Sequence, residues 1–218
     1  WATSCFWNCL CFISWEENDN YIIEFYFDCS SPWTYLAFTG LLDLQQKYNF
    51  QIQWNPILVG GIFNTINKQV YEFRENPIPE KEHYYAADIQ LWAQKRKITI
   101  NWPDIFPINS VQVMRGCFFA LSLDQLENYV EKVFVKYWKE GADIANKKAL
   151  GTICKELHWD EDEFFNFIGQ QSTKDMLFDS TQELITRGGF GSPTFFLQDK
   201  IFFGNDRLHL LEYYLEQI

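Results

Sequence analysis

Residues 21–34 read YIIEFYFDCSSPWT, and this stretch decides the fold. Its first eight residues are β-branched and aromatic, which predicts a short buried strand. Ser31 is a good helix N-cap and Pro32 suits the first helical position, so we predict a helix that starts here and stops at Asn49. The apolar face of this helix recurs at helical spacings and consists of Trp33, Leu36, Ala37, Leu41, Leu44 and Tyr48.

The sequence beyond this helix predicts the rest of a sheet. Residues 51–57 (QIQWNPI) alternate as a second strand, which gives a right-handed βαβ unit. Residues 195–197 and 201–203 are two further short strands, and a last amphipathic helix follows them, capped by Asn205 or Asp206. The order βαβ…ββα resembles a thioredoxin-like α/β sheet, whose sites lie at the carboxyl ends of the strands.

A long helical block separates the two parts of this sheet. The predicted organisation is a thioredoxin-like domain of residues 21–58 and 188–218, interrupted by a large all-helical insertion over 59–187. Residues 99–107 form a proline-rich loop within the block. Residues 1–20 are unassigned, and no functional role is expected for residues 1–15. Helix starts in the block are predicted at Pro79, Asn109–Ser110 and Asp124, and at two capping boxes, Asp160 with Glu163 and Ser172 with Asp175.

The composition excludes several classes of protein. The chain has 218 residues, 47% of them hydrophobic, which is enough for a sizeable core and excludes a disordered protein. The net charge of -11 lacks the basic surface that nucleic-acid binding requires, so we expect no nucleic-acid partner. No apolar run reaches the roughly 18 residues of a membrane span. We therefore expect a soluble protein with no membrane partner.

The six cysteines include no Cys-x-x-Cys pair. A chain of this length does not need disulfides for stability, so the pattern favours reduced thiols and a cytoplasmic location. Cys29, at a strand end, and Cys117 and Cys154, on apolar helical faces, are predicted to be buried in the core. The cysteines within residues 5–11 have no partners that complete a zinc set, so we predict no metal.

The loop after the first strand is the most informative candidate site. Thioredoxin-like oxidoreductases carry Cys-x-x-Cys here, and this chain has Ser31-Pro32-Trp33-Thr34 in that register. A hydroxyl cannot exchange disulfides, but at a helix N-terminus it can donate a hydrogen bond to the thiolate of a bound molecule. We therefore interpret Ser31 as a residue that holds a ligand sulfur; the alternative is that it only caps the helix.

Two later motifs add to this site. Gly191-Ser192-Pro193-Thr194 stands where thioredoxin-like proteins hold a cis-proline, and a cis bond would turn the backbone of Ser192 towards a ligand. The alternative is a trans proline that starts a strand. In Gly204-Asn205-Asp206-Arg207, the amide and carboxylate could accept the ammonium group of a ligand.

The motifs FYFDCSSPWTYLAF, GGFGSPTFF and FFGNDRL together resemble the 2-hydroxychromene-2-carboxylate isomerase family, which is related to kappa-class glutathione transferases and DsbA-like oxidoreductases. The resemblance implies glutathione as a bound cofactor that is not consumed. It implies that Ser31 holds the glutathione sulfur, as the catalytic residue. The implied glutathione-binding residues are Ser192 and Pro193 for the cysteinyl unit, Asn205 and Asp206 for the γ-glutamyl end, Lys81 near the glycyl carboxylate, and either Asn67 or Asn76.

The resemblance also implies an activity. It indicates a glutathione-dependent isomerase of 2-hydroxychromene-2-carboxylate or a related conjugated aromatic ketoacid, in which a glutathione thiolate adds and eliminates reversibly. The implied partners are a small aromatic substrate and a second copy of the chain in a homodimer. Two alternatives stay open: a kappa-like glutathione transferase or peroxidase, and a non-catalytic thioredoxin-like module that binds thiols or peptides.

Overall fold

The structure, a computed structural model, describes residues 21–217, so the unassigned segment 1–20 and its cysteines lie outside the described residues. Four strands are present in this part: β1 (Ile22–Phe27), β2 (Gln51–Pro56), β3 (Thr194–Leu197) and β4 (Lys200–Phe203). The α-helices of the same part are α1 (Pro32–Tyr48), α2 (Val59–Thr65), α3 (Gln69–Glu75), α4 (Pro79–Arg96), α5 (Val111–Ser122), α6 (Leu126–Phe134), α7 (Lys147–Glu156), α8 (Glu161–Gly169), α9 (Gln171–Thr186) and α10 (Leu208–Leu215). A π-helical segment (Val135–Lys139) continues α6, and a 3₁₀ turn (Asn205–Arg207) precedes α10.

The strands form one mixed sheet in the order β2-β1-β3-β4. β1 and β2 are parallel, with Ile22 opposite Gln51, and β3 is antiparallel to both β1 and β4. The parallel pair requires the crossover helix α1, whereas the antiparallel pair β3–β4 needs only a tight turn. The predicted thioredoxin-like α/β sheet with a helical insertion between β2 and β3 is therefore confirmed.

Helix α1 forms as predicted because both of its ends carry the expected signals. Ser31 Oγ accepts a hydrogen bond from the Thr34 N–H, and Pro32 occupies the first position. Asn49 ends the helix in the left-handed conformation, with φ of 50°. The helix packs against α4 and α10. Only a four-residue turn separates β1 from α1, so the N-terminus of the helix lies at the carboxyl end of that strand.

Aromatic rings make up much of the core. Phe25 of β1 stacks on Phe195 of β3 with ring centroids 4.9 Å apart, and Trp54 of β2 packs edge-on against Phe25. Tyr35 of α1 stacks on Phe134 of α6 at 4.6 Å. Such pairs contribute about 0.5–1.5 kcal/mol each beyond the burial of their surface. The helical insertion and the sheet therefore share one core.

Helix α9 is tied to the sheet by polar contacts. Thr181 Oγ1 accepts a hydrogen bond from the Leu58 N–H at 3.0 Å. Arg187, at the C-terminal end of α9, donates to both carboxylate oxygens of Glu24 on β1 and lies over the ring of Phe196. The hydrogen bonds from Arg187 lower the pKa of Glu24. The division of the chain at residues 58 and 188 stays a prediction.

The two capping boxes predicted within the helical block have different outcomes. Asp160 accepts a hydrogen bond from the Glu163 N–H at 2.8 Å, so this predicted cap is confirmed. The box of Ser172 and Asp175 is wrong, because α9 begins at Gln171 and Ser172 lies inside it. α8 ends only two residues earlier, which leaves no room for a separate cap there.

Two further predicted caps differ in outcome. Ser110 occupies the N-cap position of α5 as predicted, but its hydroxyl donates to Asp28 Oδ2 at 3.0 Å. Asn109 Oδ1 accepts from the Val111 N–H at 3.1 Å, so Asn109 satisfies the first N–H of this helix. The cap predicted at Asn205 or Asp206 is wrong. α10 begins at Leu208, since the 3₁₀ turn places Asn205 and Asp206 before it, and no side chain caps its N-terminus. Ser110, Asn205 and Asp206 belong to the site described next.

Candidate active site

The candidate site lies at the turn between β1 and α1. The Oγ of Ser31 accepts from the Thr34 N–H at 3.3 Å and donates to the Ser192 carbonyl at 3.5 Å. The second bond is weak, because 3.5 Å is at the limit for a hydrogen bond. Pro32 has no N–H, and within residues 21–217 the Trp33 N–H has no partner. The positive end of the helix dipole therefore carries a hydroxyl and a backbone N–H that can donate hydrogen bonds to an anion.

Hydroxyl groups occupy the register in which thioredoxin-like oxidoreductases carry two cysteines. Thr34 Oγ1 and Ser192 Oγ are hydrogen-bonded at 2.7 Å, and both residues are buried. Ser192 Oγ also accepts from the Asp28 N–H at 3.0 Å. These bonds fasten the loop before β3 to the N-terminus of α1. Because a hydroxyl cannot exchange disulfides, Ser31 and Thr34 cannot perform the redox chemistry of a Cys-x-x-Cys pair.

The peptide bond between Ser192 and Pro193 is cis, as predicted. In the described part of the chain the Ser192 N–H has no hydrogen-bond partner. The Pro193 carbonyl accepts from the Gly204 N–H at 3.0 Å, which holds the 3₁₀ turn next to this loop. An extended ligand can therefore pair with the Ser192 backbone in the way an added strand would.

Asn205 is a buried amide without partners. Its side chain is 2% exposed, and no described residue forms a hydrogen bond with its Oδ1 or Nδ2. Leaving such a group unpaired costs about 1–3 kcal/mol, so an unpaired buried amide requires an explanation. One explanation is a ligand that forms the missing hydrogen bonds. The 3₁₀ turn that carries Asn205 contacts α1.

Asp206 follows in the same turn and is half exposed. Its carboxylate forms an ion pair with Arg207 at 2.8 Å. Gly204 has a φ of 103°, and a Cβ at this position would lie 2.7 Å from Asp206 Oδ1. The positive φ therefore favours a glycine at 204, whereas the exposed carboxylate of Asp206 could move away from a Cβ.

A buried carboxylate behind the turn was missed by the sequence analysis. Asp28, the residue after β1, is fully buried and accepts from the Ser30 N–H at 2.9 Å, the Val59 N–H at 2.9 Å and the Ser110 hydroxyl at 3.0 Å. Burial raises the pKa of Asp28, although these hydrogen bonds act in the opposite direction. The carboxylate joins the turn before α1 to the starts of α2 and α5. Because Val59 and Ser110 are 31 and 82 residues away, no local signal marks this role.

The remaining predicted site residues lie between α2 and α4. Asn67 Nδ2 donates to the Phe190 carbonyl at 3.1 Å, so Asn67 is brought to the loop that contains Ser192. Asn76 ends α3 and Lys81 lies in the first turn of α4, and both are exposed. Among the described residues, no hydrogen bond or ion pair links these two to the turn at Ser31.

Cys29 lies two residues before Ser31 and belongs to the core. It is fully buried, and this burial, with Cys117 nearby, raises the pKa of its thiol. Its carbonyl accepts from Trp138 Nε1 at 3.0 Å, and its N–H is 3.3 Å from Met114 Sδ. Cys117 and Cys154 are also buried and free, so the predicted core role of all three cysteines is confirmed.

Two surface cavities lie elsewhere. One of about 460 Å³ lies between α6 and α7 and is lined by the ion-paired side chains of Lys132, Lys136 and Glu156. The other, of about 200 Å³, contains the ion pair of Arg96 and Asp43. Neither contains a predicted site residue. Over residues 21–217 no group of three or more His, Cys, Asp or Glu is placed to hold a metal, and no helix is both long and apolar enough to cross a membrane.

The residues that the structure brings together fit a peptide-like thiol. The Ser31 hydroxyl and the Trp33 N–H can donate to a thiolate, and the Ser192 N–H can pair with a peptide carbonyl. The unpaired amide of Asn205 can both donate to a carboxylate and accept from an ammonium group. Glutathione carries a thiol, peptide carbonyls, carboxylates and an ammonium group, so its groups match these residues.

Comparison with known proteins adds four findings. Residues 22–216 match the family model of the DSBA-like thioredoxin domain. A 2-hydroxychromene-2-carboxylate isomerase of Pseudomonas sp. (strain C18) is 33% identical over 193 residues, which cover 88% of this chain and 88% of that protein. Glutathione S-transferase kappa 2 of Caenorhabditis elegans is 24% identical over 201 residues, covering 86% and 88% of the two chains. A solved 2-hydroxychromene-2-carboxylate isomerase superposes with a TM-score of 0.77 at 30% identity, over 90% of this chain and 95% of that one.

Proposed function

The chain belongs to the 2-hydroxychromene-2-carboxylate isomerase family of DSBA-like thioredoxin domains, and we propose that it is a glutathione-dependent isomerase of 2-hydroxychromene-2-carboxylate or a related conjugated aromatic ketoacid. The observation that carries this proposal is a thioredoxin-like site whose two cysteine positions hold Ser31 and Thr34. Such a site is arranged around a sulfur atom that the protein does not supply. The names of the kappa-class relatives support glutathione as the source of that sulfur.

Ser31 is the proposed catalytic residue. Its weak bond to the Ser192 carbonyl is released at little cost, so the hydroxyl can turn to donate to a ligand thiolate. A hydrogen bond to a charged group contributes about 1.5–3 kcal/mol, and the N-terminus of α1 adds about 0.3–1 kcal/mol. Since one pKa unit corresponds to about 1.36 kcal/mol, the site favours the ionised thiol at neutral pH.

The other proposed residues bind and orient glutathione. Ser192 pairs through its backbone N–H with the cysteinyl unit, next to Pro193. Asn205 and Asp206 hold the γ-glutamyl end, and Lys81 and Asn67 complete the binding set on the side of α2–α4. When bound, glutathione supplies the covalent chemistry, a thiolate that adds to a conjugated carbon and leaves again. The chain supplies orientation and a fixed hydrogen-bond donor.

The proposal is tested by counting thiols during turnover. Purified protein is titrated with glutathione and then assayed on 2-hydroxychromene-2-carboxylate, with total thiol measured throughout. An isomerase forms product while total thiol stays constant. Loss of one thiol per product would instead indicate a kappa-like transferase, and glutathione binding without turnover of this substrate or other conjugated ketoacids would indicate a non-catalytic module.

A further inference from the structure

A cluster of aromatic side chains connects the turn at Ser31 with the surface. Trp138 is fully buried, and its indole donates to the Cys29 carbonyl at 3.0 Å. The ring of Trp102 lies 5.9 Å from Trp138 and 4.9 Å from Phe106, and Phe106 is 6.1 Å from Trp138. Trp102 is 57% exposed. The cluster therefore extends from the buried Trp138, which contacts the residue two positions before the proposed catalytic serine, to an aromatic face at the surface that consists of the exposed Trp102 and the half-buried Phe106.

A single guanidinium lies over this face. The Cζ of Arg74, on α3, is 5.6 Å from the ring centroid of Phe106 and 5.7 Å from that of Phe63. No carboxylate within residues 21–217 forms an ion pair with Arg74. Arg74 is thus a cation held by aromatic rings, with its hydrogen-bond donors free for an anion.

The overall charge makes such a cation significant. The chain carries 18 basic and 29 acidic residues, so a carboxylate ligand is repelled by the molecule as a whole. Several of its other cations are already neutralised, such as Arg187 by Glu24 and Lys136 by Glu140. A carboxylate substrate therefore needs a local unpaired cation next to its binding surface.

The segment that carries Arg74 also reaches the other side of the site. Asn67, between α2 and α3, donates to Phe190 in the loop before Ser192. The N-terminus of α2 is bound to Asp28 through the Val59 N–H. The segment α2–α3 therefore extends from the loop before β3 to the aromatic cluster of the 99–107 loop, alongside the turn at Ser31.

From these contacts we infer that Arg74, Trp102 and Phe106 bind the second substrate, a planar aromatic carboxylate. The aromatic ring packs against Trp102 and Phe106, and Arg74 binds the carboxylate. The inference deepens the proposed function and rests on it for the identity of the reaction. It assigns Arg74 to the aromatic acid and not to a carboxylate of glutathione, for which Lys81 is proposed.

The binding site is tested without glutathione and without turnover. The probe is chromone-2-carboxylate, a stable bicyclic carboxylate, and its uncharged partner is chromone-2-carboxamide; binding is measured by calorimetry. Arg74→Met should weaken carboxylate binding about tenfold, because a charge-assisted hydrogen bond is lost, and carboxamide binding less than about twofold. Arg74→Lys should retain most of the carboxylate affinity. Trp102→Leu should weaken both ligands about fivefold through the lost ring contact.

Lys148→Met serves as the matched control, since Lys148 is an exposed, unpaired lysine on α7, outside the site. It removes the same charge and should leave both affinities unchanged. The inference would be overturned if Arg74→Met bound the carboxylate as tightly as the wild type does. It would also be overturned if Lys148→Met lost as much carboxylate affinity as Arg74→Met, because the loss would then reflect only the net charge. Thermal melts verify that all variants fold.

Turnover then separates this inference from the proposed function. If the enzyme isomerises the aromatic acid, Arg74→Met should raise the KM for that acid about tenfold and leave the KM for glutathione within about twofold. A raised KM for glutathione alone would overturn the inference while the proposed function stands. Arg74-dependent binding of the carboxylate in a protein that shows no turnover would support the binding site and contradict the proposed isomerase.

Discussion

At the scale of single residues, the site is defined by hydroxyl and amide groups that lack a permanent strong partner. Ser31 has the position and cap geometry of a redox cysteine but donates only a weak bond, at 3.5 Å, to Ser192. Asn205 is buried with both polar atoms unpaired. Groups arranged in this way cost stability in the ligand-free protein and recover it when a ligand binds.

Replacing Asn205 therefore separates binding from stability. We expect Asn205→Ala to change the free energy of unfolding by no more than about 1 kcal/mol, since the side chain has no hydrogen bonds to lose within the described residues. Its affinity for glutathione should fall about tenfold. Chemical denaturation and calorimetry measure the two quantities.

Asn166→Ala is the matched control, because Asn166 is exposed on α8 and away from the site. It should alter neither stability nor affinity. A large loss of stability in Asn205→Ala with unchanged glutathione affinity would show that Asn205 has a purely structural role.

At the scale of elements, Asp28 joins three of them. Its carboxylate accepts from the turn before α1, from the start of α2 and from Ser110 before α5. Asp28→Asn substitutes an NH₂ group for one acceptor oxygen and leaves at least one donor unpaired. We expect a loss of stability of about 1–3 kcal/mol.

The pH dependence of this loss follows from the raised pKa of Asp28, which burial causes. The Asp28 carboxyl keeps its proton to a higher pH in the native state than in the unfolded chain, where its pKa is about 3.9. Native protein then binds more protons than unfolded protein, so the stability of the wild type relative to Asp28→Asn should fall as the pH rises above about 4. Urea unfolding of both proteins at a series of pH values measures this difference. A difference that grows with pH would show that the three hydrogen bonds outweigh burial.

The elements whose signals are local were predictable from the sequence. Ser31, Pro32 and Asn49 mark the ends of α1 by their own backbone preferences, and the structure places them there. The roles of Ser110 and Asn205 were not predictable, because local rules assign both to helix caps. Their actual positions depend on the sheet and on contacts across much of the chain, such as Ser110 with Asp28.

Dependence on contacts between distant parts of the chain also explains why the rest of the site is hard to predict from local sequence. The cis bond before Pro193 was predicted from its place before a strand in a thioredoxin-like order, which is a pattern of the whole fold. The contact of Arg74 with Phe106 joins a residue of the short helix α3 to a residue of the 99–107 loop, and no periodicity relates the two. The proposed roles of Ser31, Lys81 and the other binding residues stay predictions, as do the cytoplasmic location and the homodimer.

At the scale of the whole molecule, the three cysteines of the described part lie in the core and not at the surface. Cys29, Cys117 and Cys154 are buried, and burial raises the pKa of Cys154 to about 11 and raises that of Cys29 well above its ordinary value. Thiols react as thiolates and need access to the reagent, and burial denies that access to all three residues.

We therefore expect iodoacetamide to leave these three cysteines unmodified in the native protein and to modify all of them in guanidinium chloride. Peptide mapping by mass spectrometry reads out each site. Glutathione-dependent turnover of the treated native protein, after removal of the reagent, should be unchanged. Native modification of Cys29 accompanied by loss of turnover would mean that a thiol of the protein takes part in the reaction.

In the proposed mechanism the site holds the sulfur of a bound molecule, and the Ser31 hydroxyl stabilises the thiolate form of that sulfur. The most direct measurement is a pH titration of the ultraviolet thiolate absorbance of glutathione bound to wild type, Ser31→Ala and the neighbouring control Ser30→Ala. In wild type and Ser30→Ala the pKa of the bound thiol should lie below the value of about 8.5 for a free thiol, and Ser31→Ala should raise it by about 1 to 2. A bound thiol with the same pKa in Ser31→Ala as in the wild type would contradict the claim.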